Sequence, residues 1–511
     1  MKRHCLAIVL ACALLAGCAA SPGPPPVAEP GQEQKQQPEP KKNTSNTIEI
    51  GIDPIKNGLN PHLVADDSAF VQSLASLVLP STFVEGEMDT ALLEKAEEIP
   101  VTEPGVAQSV RYVIRKEAQW SDGTPITGAD FLYLWRNMVT TPGVVDPAGY
   151  ESVMQIRSSN GGKTVDVDFR RKVADWRLLF NHLVPSHLFR TGTESFASVL
   201  DEVVPASAGR YMVRTVDRDR GVVTLTRNDR YWGKQPAATE TLVFREIRSQ
   251  PQGRQMVRSG QVGFLDLTPS EVSLAVFEQL PQAQLRTYQR ESRLELTFNT
   301  STMHTPELRR AIARRVDAKL IAEIAAGRRS DITVPDFQVP PGPEEIPHRV
   351  RIAADAADDA AASAASSIVD GLRKQDINAE VVLSDFHEIT GRLLPEGRVD
   401  AVVSWQRTTP SAITAASRYL CPQTAERAGN LSAVCDHALD EQLIAGLAEQ
   451  RVVSTAEFYA QRVLGVPLLE DTRMEVLGVG IVGPDSALEQ WPLHQPAGAL
   501  ATAATWRRND E

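Results

Sequence analysis

Residues 108–138 change their hydrophobic period at a single turn, and this change constrains the fold more than any other feature of the chain. Val110, Tyr112 and Ile114 recur at every second position, which is typical of a half-buried strand. Beyond the turn "SDGTP", four apolar residues share the i, i+3, i+4, i+7 spacing of one helical face. A strand followed directly by an amphipathic helix predicts a mixed α/β chain. The four residues of the helical face are Phe131, Leu134, Trp135 and Met138.

The turn and the start of this helix carry carboxylates and hydroxyls, as a catalytic loop would. Asp122 and Gly123 accept unusual backbone angles and Pro125 ends the strand ladder, so these residues predict a turn. Asp130 follows Thr127 by three residues, which is an approximate capping box. No nucleophile is paired with a base, and we interpret the segment as structural. Its structural residues are Trp120, Asp122, Gly123, Pro125 and Asp130.

A second helix is predicted in "ADWRLLFNHLVPSHLF", where four apolar residues again share one helical face. Pro185 would end this helix. The four residues are Trp176, Leu179, Phe180 and Leu183.

Residues 1–18 predict export and lipid attachment. Lys2, Arg3 and His4 precede an apolar run that is too short to span a bilayer. The run ends in Leu-Ala-Gly-Cys, which resembles a bacterial lipobox, so that Cys18 would be alkylated by diacylglycerol and residues 1–17 removed as a signal peptide. The alternative is an ordinary cleaved signal that happens to contain a cysteine. The lipobox predicts a protein anchored by lipid at the extracytoplasmic face of the cell membrane.

Residues 18–46 have the composition of a disordered tether. They are rich in Pro, Gln, Glu and Lys and nearly free of large apolar residues, so they bury too little surface to offset the entropy of ordering. Folded structure is expected from about Thr47, and residues 47–511 are too long for one compact unit. The net charge of −12 argues against nucleic acid as a partner and against binding of anionic lipid through basic patches.

Two cysteines remain besides Cys18 after the predicted processing. They are Cys421 and Cys435, and two nearby cysteines in an exported chain suggest a disulfide. The alternative is a pair of free buried thiols. His437 lies close by, but the spacing matches no common zinc pattern, so we expect no metal site.

Motifs of cofactor sites and catalytic sites occur in incomplete form. "GVGIVG", residues 478–483, matches the dinucleotide pattern, but Pro484 interrupts the helix that this pattern requires. "FHEITG" around His387 lacks the second histidine of a zinc-protease helix. We therefore expect no cofactor and no enzymatic activity.

Several segments resemble, in their order, the family 5 extracellular solute-binding proteins, which are the oligopeptide, dipeptide and nickel-binding receptors of ABC importers. A strand ending in Trp-Ser-Asp-Gly-x-Pro-x-Thr-x-x-Asp-Phe resembles the signature region of the family. The resemblance covers nearly all of residues 47–508. Other matching pieces are "IEIGIDPIKNGLNPH", "ASAGRYMVRTVDRDRGVVTLTRNDRYWG", "QMVRSGQVGFLDL", "LELTFNTSTMHTPELRRAIARRVDAKLI" and "EGRVDAVVSW".

This resemblance implies an α/β, two-lobe periplasmic-binding-protein-like fold of class II (cluster C), with an inserted subdomain in lobe I and a hinge between the lobes. Closure of two lobes around a ligand is a standard hinge transition. The implied boundaries are residues 47–63, 205–290 and 474–511 for lobe I, 64–204 for the inserted subdomain and 291–473 for lobe II.

The resemblance also implies a monomeric receptor that binds its ligand between the lobes and passes it to an ABC permease. The candidate ligand-binding residues lie after the first strand, at the strand that opens lobe II and at the end of the Gly-Arg-x-Asp-Ala strand. They are Asn57, His62, Asn299, Trp405, Gln406 and Arg407.

One departure from the family pattern bears on the ligand. Peptide-binding members follow the tryptophan with an acidic stretch, whose aspartate holds the α-ammonium group of the peptide. This chain has "SWQRTTPSAITAASRYL" instead, with Arg407 and no acid before Glu426. A guanidinium repels an ammonium group and suits carboxylate or phosphate. The alternative is that Arg407 points to solvent, as most arginines do.

Two further stretches, "TPGVVDPAGY" and "GNLSAVC", resemble the LpqW-type lipoproteins of mycolic-acid bacteria. That type is linked to the assembly of phosphatidylinositol mannosides and lipoarabinomannan. The resemblance therefore adds an alternative function, a non-transport binding or regulatory lipoprotein for a cell-envelope glycolipid, with membrane glycosyltransferases as partners. An Ala- and Arg-rich chain suits an actinobacterial host.

Overall fold

The computed structural model describes residues 46–189, 195–422 and 429–509. The predicted signal peptide, the predicted lipid attachment at Cys18 and the predicted tether up to residue 45 lie outside the described residues. Among the helices that are described, none combines the length and the apolar character needed to cross a membrane.

The strands of the described residues form one ten-stranded sheet, one four-stranded sheet and two short two-stranded sheets. They are β1 (Thr47–Ile52), β2 (Phe83–Val84), β3 (Glu87–Met88), β4 (Leu93–Ile99), β5 (Gln108–Ile114), β6 (Val153–Ser159), β7 (Thr164–Phe169), β8 (Tyr211–Asp217), β9 (Val222–Arg227), β10 (Thr241–Glu246), β11 (Phe264–Leu267), β12 (Gln284–Phe298), β13 (Val350–Asp355), β14 (Ala379–Ser384), β15 (Ala401–Arg407), β16 (Gly465–Leu477), β17 (Ile481–Val482) and β18 (Arg507–Arg508).

Most of the longer helices begin at a Ser, Thr or Asp side chain that accepts a backbone N–H of the first turn. The helices are α1 (Ala69–Val78), α2 (Gly128–Thr140), α3 (Ala148–Glu151), α4 (Ser186–Phe189), α5 (Gln250–Arg258), α6 (Ser273–Glu278), α7 (Pro306–Ala313), α8 (Ala318–Ala326), α9 (Asp359–Arg373), α10 (Phe386–Glu388), α11 (Ala412–Tyr419), α12 (His437–Glu449) and α13 (Ala456–Arg462).

Two long strands, β12 and β16, run through the middle of the large sheet and join its two halves. The strand order is β14-β13-β15-β12-β16-β11-β1-β10-β9-β8. In one half β13 pairs in parallel with β14 and β15, and in the other β1 pairs in parallel with β10 and β11. We call the half with β1 lobe I and the half with β13 lobe II. The residue boundaries stated above for the lobes stay a prediction.

The pairing of β12 with β16 is interrupted between Gln289 and Arg293. Before the interruption, β12 pairs with the last residues of β16, which pair on their other side with β11. Beyond the interruption, β12 lies between β16 and β15 and pairs with both. An interrupted ladder bends more easily than a continuous one because inter-strand bonds are missing there. This place is therefore the natural hinge between the halves.

Separate hydrophobic cores support the two halves. One core contains side chains of β12, β13, β15 and α9, among them Phe298, Ile352 and Val403, and lies wholly in lobe II. A larger core joins lobe I to the four-stranded sheet β4-β5-β7-β6. Residues 412–464 also contribute to the larger core, and the amide of Ala148 donates to Ser417 Oγ across 3.0 Å.

The strand-turn-helix segment has the predicted local structure. Trp120 is fully buried, Gly123 has a φ of +93°, and α2 follows with Phe131 and Leu134 buried. The capping box is present, since Thr127 N donates to Asp130 Oδ2 across 2.9 Å. The segment packs into the larger core, and Met138 near the end of α2 is its one residue in the wall of the cavity described below.

The prediction of a helix over residues 176–183 is wrong. A single 3-10 turn, Trp176–Leu178, forms there, and then Phe180 and His182 adopt φ values of +59° and +52°. Side-chain acceptors replace the helical bonds, because Phe180 N donates to Tyr150 Oη across 2.8 Å and His182 N to Ser81 Oγ across 3.0 Å. Tertiary packing thus overrides the periodic pattern.

Candidate functional site

A cavity of about 810 Å³ lies between the lobes. Lobe I and its associated small sheet supply most of the wall, through residues from 61–92, 138–182, 208–232 and 484–505. Lobe II supplies Arg407 at the end of β15, residues of the loop that follows, and the first turn of α11. The volume lies in the upper part of the ~300–1,000 Å³ range of ligand pockets. The cavity is therefore large enough for a ligand of several residues or sugar rings.

Asp67 is the most heavily bonded carboxylate of the cavity region. It precedes the N-cap of α1, and its side chain is 7% exposed. Arg290 Nη2 of the hinge donates to it across 2.7 Å, and Gln72 Nε2 of α1 across 2.9 Å. Burial alone would raise the pKa of Asp67, but Arg290 and Arg407 outweigh it and lower the pKa to about 2. Asp67 is therefore ionised throughout the physiological range.

Arg407 reaches Asp67 from the other lobe. Its Nε and Nη2 atoms donate to the two carboxylate oxygens of Asp67 across 3.0 Å and 3.1 Å, which is a fork-like pair. The Arg407 side chain is 19% exposed and lines the cavity. Burial lowers the pKa of Arg407, yet the attraction of Asp67 outweighs it and the pKa lies above its ordinary value. The expectation that Arg407 points to solvent is wrong.

Asp146 is a second carboxylate beside Arg407. It lies between α2 and α3 with a φ of +49°, and its Oδ2 is 3.7 Å from Arg407 Nη1. Burial raises the pKa of Asp146, with Arg407 opposing the rise. Asp146 is therefore held less firmly than Asp67, although both face the same guanidinium.

Two buried histidines stand next to this charged cluster. His62 Nε2 lies 2.9 Å from the carbonyl oxygen of His182, and the two rings are 6.4 Å apart. Burial lowers the pKa of His62 to about 4 and that of His182 to about 3, and Arg407 adds to both effects. Both imidazoles are neutral at pH 7, so they contribute polar edges and no charge.

Another part of the wall carries the aromatic rings of Tyr231 and Trp232 and the guanidinium of Arg210. Tyr231 and Trp232 have ring centroids 5.6 Å apart, and Trp232 Nε1 donates to Ala91 O across 2.6 Å. Arg210 Nη2 is 3.4 Å from Gln235 Oε1, a long bond. Burial raises the pKa values of Tyr231 and Asp89, and the nearby charge of Arg210 opposes both rises.

The candidate residues from the sequence take different positions. His62 and Arg407 line the cavity. Asn57 bridges the lobes, because its Nδ2 donates to Asp355 Oδ2 and to Ala65 O, both across 3.0 Å.

Asn299, Trp405 and Gln406 lie away from the wall of the cavity. Asn299 is fully buried and donates to the carbonyl oxygens of Leu394 and Val399. Trp405 packs against the core of lobe II, and Gln406 bonds Ser404 Oγ across 2.8 Å. Strand β15 therefore delivers only its last residue to the cavity.

The cysteine pair lies at some remove from the cavity wall. Cys421 and Cys435 form a disulfide with an S–S distance of 2.00 Å. Among the described residues, these two and His437 are the one group of three side chains close enough to share a metal ion. The sulfurs are bonded to each other, so they do not offer thiolates to a metal.

Sequence reasoning missed Asp67, Asp146 and Arg210. Asp67 is 340 residues from its partner Arg407 along the chain, and no local pattern joins them. A weak signal existed, because "ADDSAF" places two acids directly before Ser68, which can cap the helix by itself.

Comparisons with known proteins support a single family. The family described as bacterial extracellular solute-binding proteins, family 5 (middle), matches residues 102–384. The probable monoacyl phosphatidylinositol tetramannoside-binding protein LpqW of Mycobacterium tuberculosis is 30% identical over 503 residues, covering 83% of this chain and 78% of that protein. The oligopeptide-binding protein OppA of the same species is 28% identical over 284 residues, covering 51% of this chain and 45% of that protein.

Solved structures share the architecture at low identity. The binding protein AgaA of A. tumefaciens R10, in complex with agropinic acid, has a TM-score of 0.69 at 16% identity and covers 91% of this chain and 99% of its own. The oligopeptide-binding protein AppA of Bacillus subtilis, in complex with a nonapeptide, has a TM-score of 0.67 at 13% identity, with the same coverage. These likenesses show the two-lobe fold of periplasmic binding proteins.

Proposed function

The chain belongs to the bacterial extracellular solute-binding proteins of family 5, and from this premise we propose that it closes its lobes on the mannosylated headgroup of a phosphoinositide. The observation that carries the proposal is that the buried carboxylate of Asp67 and the half-buried carboxylate of Asp146 are already paired. Both already face the guanidinium of Arg407. A ligand that brings its own ammonium group gains no free partner there, and burying an unpaired charge is costly.

The part of the wall with Arg210, Tyr231 and Trp232 suits a phosphate and sugar rings. The fork of Arg210 matches the geometry of phosphate oxygens. Tyr231 and Trp232 offer large ring surfaces with few rotatable bonds, against which a sugar ring can pack. The mannosylated phosphoinositide in the name of the M. tuberculosis relative contains both chemical groups.

Attachment to the membrane through Cys18 is part of the proposal. The basic start, the short apolar run and Leu-Ala-Gly-Cys support cleavage before Cys18 and modification of its sulfur. A net charge of −12 gives the protein no other obvious attraction to an anionic bilayer. In this function the partners are the membrane glycosyltransferases that act on the same glycolipid, and the protein itself catalyses nothing.

Peptide uptake is the second candidate function. It is favoured by the OppA relatives and by the family, whose members serve ABC permeases. In that case the protein would be the substrate-binding component of a peptide importer, and the permease would be its partner.

An equilibrium titration separates the two candidates. The full chain in mild detergent is titrated with a soluble, deacylated phosphoinositol tetramannoside and, separately, with tri-alanine. The proposal predicts a Kd for the mannoside of about 1 μM or lower and at least about 10-fold weaker binding of tri-alanine. Binding of tri-alanine without binding of the mannoside would contradict the proposal and support peptide uptake.

A further inference from the structure

We propose that Arg407 is a specificity-determining residue, whose guanidinium fills the carboxylate site of Asp67 and Asp146 as an internal counter-ion and so excludes the free amino terminus of a peptide. The inference deepens the proposed function and rests on its placement of the ligand in the cavity between the lobes. It concerns one end of that cavity and is independent of which sugar or phosphate occupies the other.

The two carboxylates and the guanidinium come from different lobes. Asp67 and Asp146 lie in loops of lobe I and its small sheet, whereas Arg407 ends strand β15 of lobe II. All three side chains line or adjoin the cavity, and Arg407 and Asp146 form part of its wall. The contact therefore forms only where the lobes meet, at a place where a ligand's charged end would otherwise be held.

Arg407 commits two of its five N–H donors to Asp67. Its Nε and Nη2 atoms hold both oxygens of Asp67, and Nη1 remains 3.7 Å from Asp146. A ligand ammonium group has three N–H donors and no planar fork. It would have to break two charge-assisted bonds in order to form comparable ones, so the exchange offers little net gain.

The charge count around the site shows what Arg407 neutralises. Asp67 also accepts from Arg290, but Arg290 is shared with Asp471 across 3.2 Å. For Asp146, the cation within ion-pair distance among the described residues is Arg407. Removal of the guanidinium would leave Asp146 without a cation within ion-pair distance among the described residues, and would leave Asp67 with Arg290, which Asp471 shares.

The buried carboxylate of Asp67 and the half-buried carboxylate of Asp146 would then favour a cation. A carboxylate buried without a partner is unfavourable, and a ligand ammonium group that enters relieves the imbalance. The Arg407→Met variant keeps an unbranched side chain of similar length without charge. It should therefore create a site for amino termini that the unaltered protein lacks.

The test compares tri-alanine with N-acetyl-tri-alanine by isothermal titration on the full chain. For the unaltered protein we expect the two peptides to bind equally weakly or not at all. For Arg407→Met we expect tri-alanine to bind at least about 10-fold more tightly than the acetylated peptide. The matched control is Arg245→Met, which removes an ion pair with Glu49 in lobe I that lies away from the cavity and should give no such preference.

Two results would overturn the inference. One is a preference of the unaltered protein for the free amino terminus, a measurement that needs no variant. The other is a folded Arg407→Met protein, by circular dichroism, that shows no preference. If Arg407→Met does not fold, Arg407→Gln is titrated in its place with the same expectation. If the mannoside does not bind in the earlier titration, the proposed ligand is wrong. The role of Arg407 is still decided by the ratio of the two peptide affinities.

Discussion

Replacement of Asp67 by Asn tests whether this carboxylate joins the hinge to lobe II. In the structure Asp67 accepts from Arg290 across 2.7 Å and from Arg407 across 3.0 Å and 3.1 Å, with its side chain 7% exposed. Asparagine keeps the shape and loses the charge. Both guanidiniums then lose a buried counter-ion, and removal of one partner from a buried pair typically costs ~3–5 kcal/mol.

The pKa of Asp67 gives a second measure of the same effect. The interval between the ordinary value of 3.8 and about 2 in the folded protein corresponds to roughly 2.5 kcal/mol at pH 7. A carboxylate with a lowered pKa stabilises the protein above the unfolded pKa, and this stabilisation is lost as the pH falls through the folded pKa. At pH 3 the same two pKa values correspond to a remaining stabilisation of roughly 1.3 kcal/mol.

The assay is urea unfolding followed by far-ultraviolet circular dichroism at pH 7 and at pH 3. For Asp67→Asn we expect a loss of about 3 kcal/mol in the free energy of unfolding at pH 7. The difference in free energy of unfolding between this variant and the unaltered protein should be smaller by about 1 kcal/mol at pH 3. Asp370→Asn, a change of an exposed carboxylate, should cost less than about 0.5 kcal/mol at either pH. The reasoning would be refuted if Asp67→Asn lowered the free energy of unfolding by less than about 1 kcal/mol at pH 7, or if the difference from the unaltered protein did not depend on pH.

Three further changes test other parts of the structure. Asp122→Asn should weaken the turn, because Asp122 accepts from Thr124 N across 2.8 Å and lies 2.6 Å from His187 Nε2. We expect the free energy of unfolding, measured in urea, to fall by about 1 kcal/mol. A variant that loses ligand binding but keeps its stability would contradict a structural role. Arg210→Gln should weaken mannoside binding at least about 10-fold in titration calorimetry, whereas unchanged affinity would place the phosphate elsewhere. Reduction of the disulfide between Cys421 and Cys435, or replacement of both cysteines by Ser, should lower the free energy of unfolding by about 3 kcal/mol for a loop of this length. Equal stability of the oxidised and reduced forms would count against this prediction.

The local parts of the fold could be predicted from the sequence. Strand β5 and helix α2 follow from alternation and from the capping residues Thr127 and Asp130, which act within a few positions of each other. The helix predicted over residues 176–183 failed because Tyr150 and Ser81, far along the chain, accept the backbone N–H groups of Phe180 and His182. Periodicity carries no information about such distant acceptors.

The site could be predicted only in part, for the same reason. Arg407 stood out because its charge departs from the family pattern, and His62 because it follows the first strand. Asp67 and Asp146 acquire their role from a guanidinium that another lobe brings to them. Trp405 and Gln406 looked equally suitable on the same strand, but β15 directs them to the core of lobe II and to Ser404.

The most direct measurement of what this protein binds is native mass spectrometry of the full chain, expressed in an actinobacterial host and extracted in mild detergent. We predict one dominant co-purified species with the mass of a mannosylated phosphoinositide, and its loss in the Arg210→Gln variant. A heterogeneous series of short-peptide masses would contradict the proposed ligand and the role assigned to Arg407.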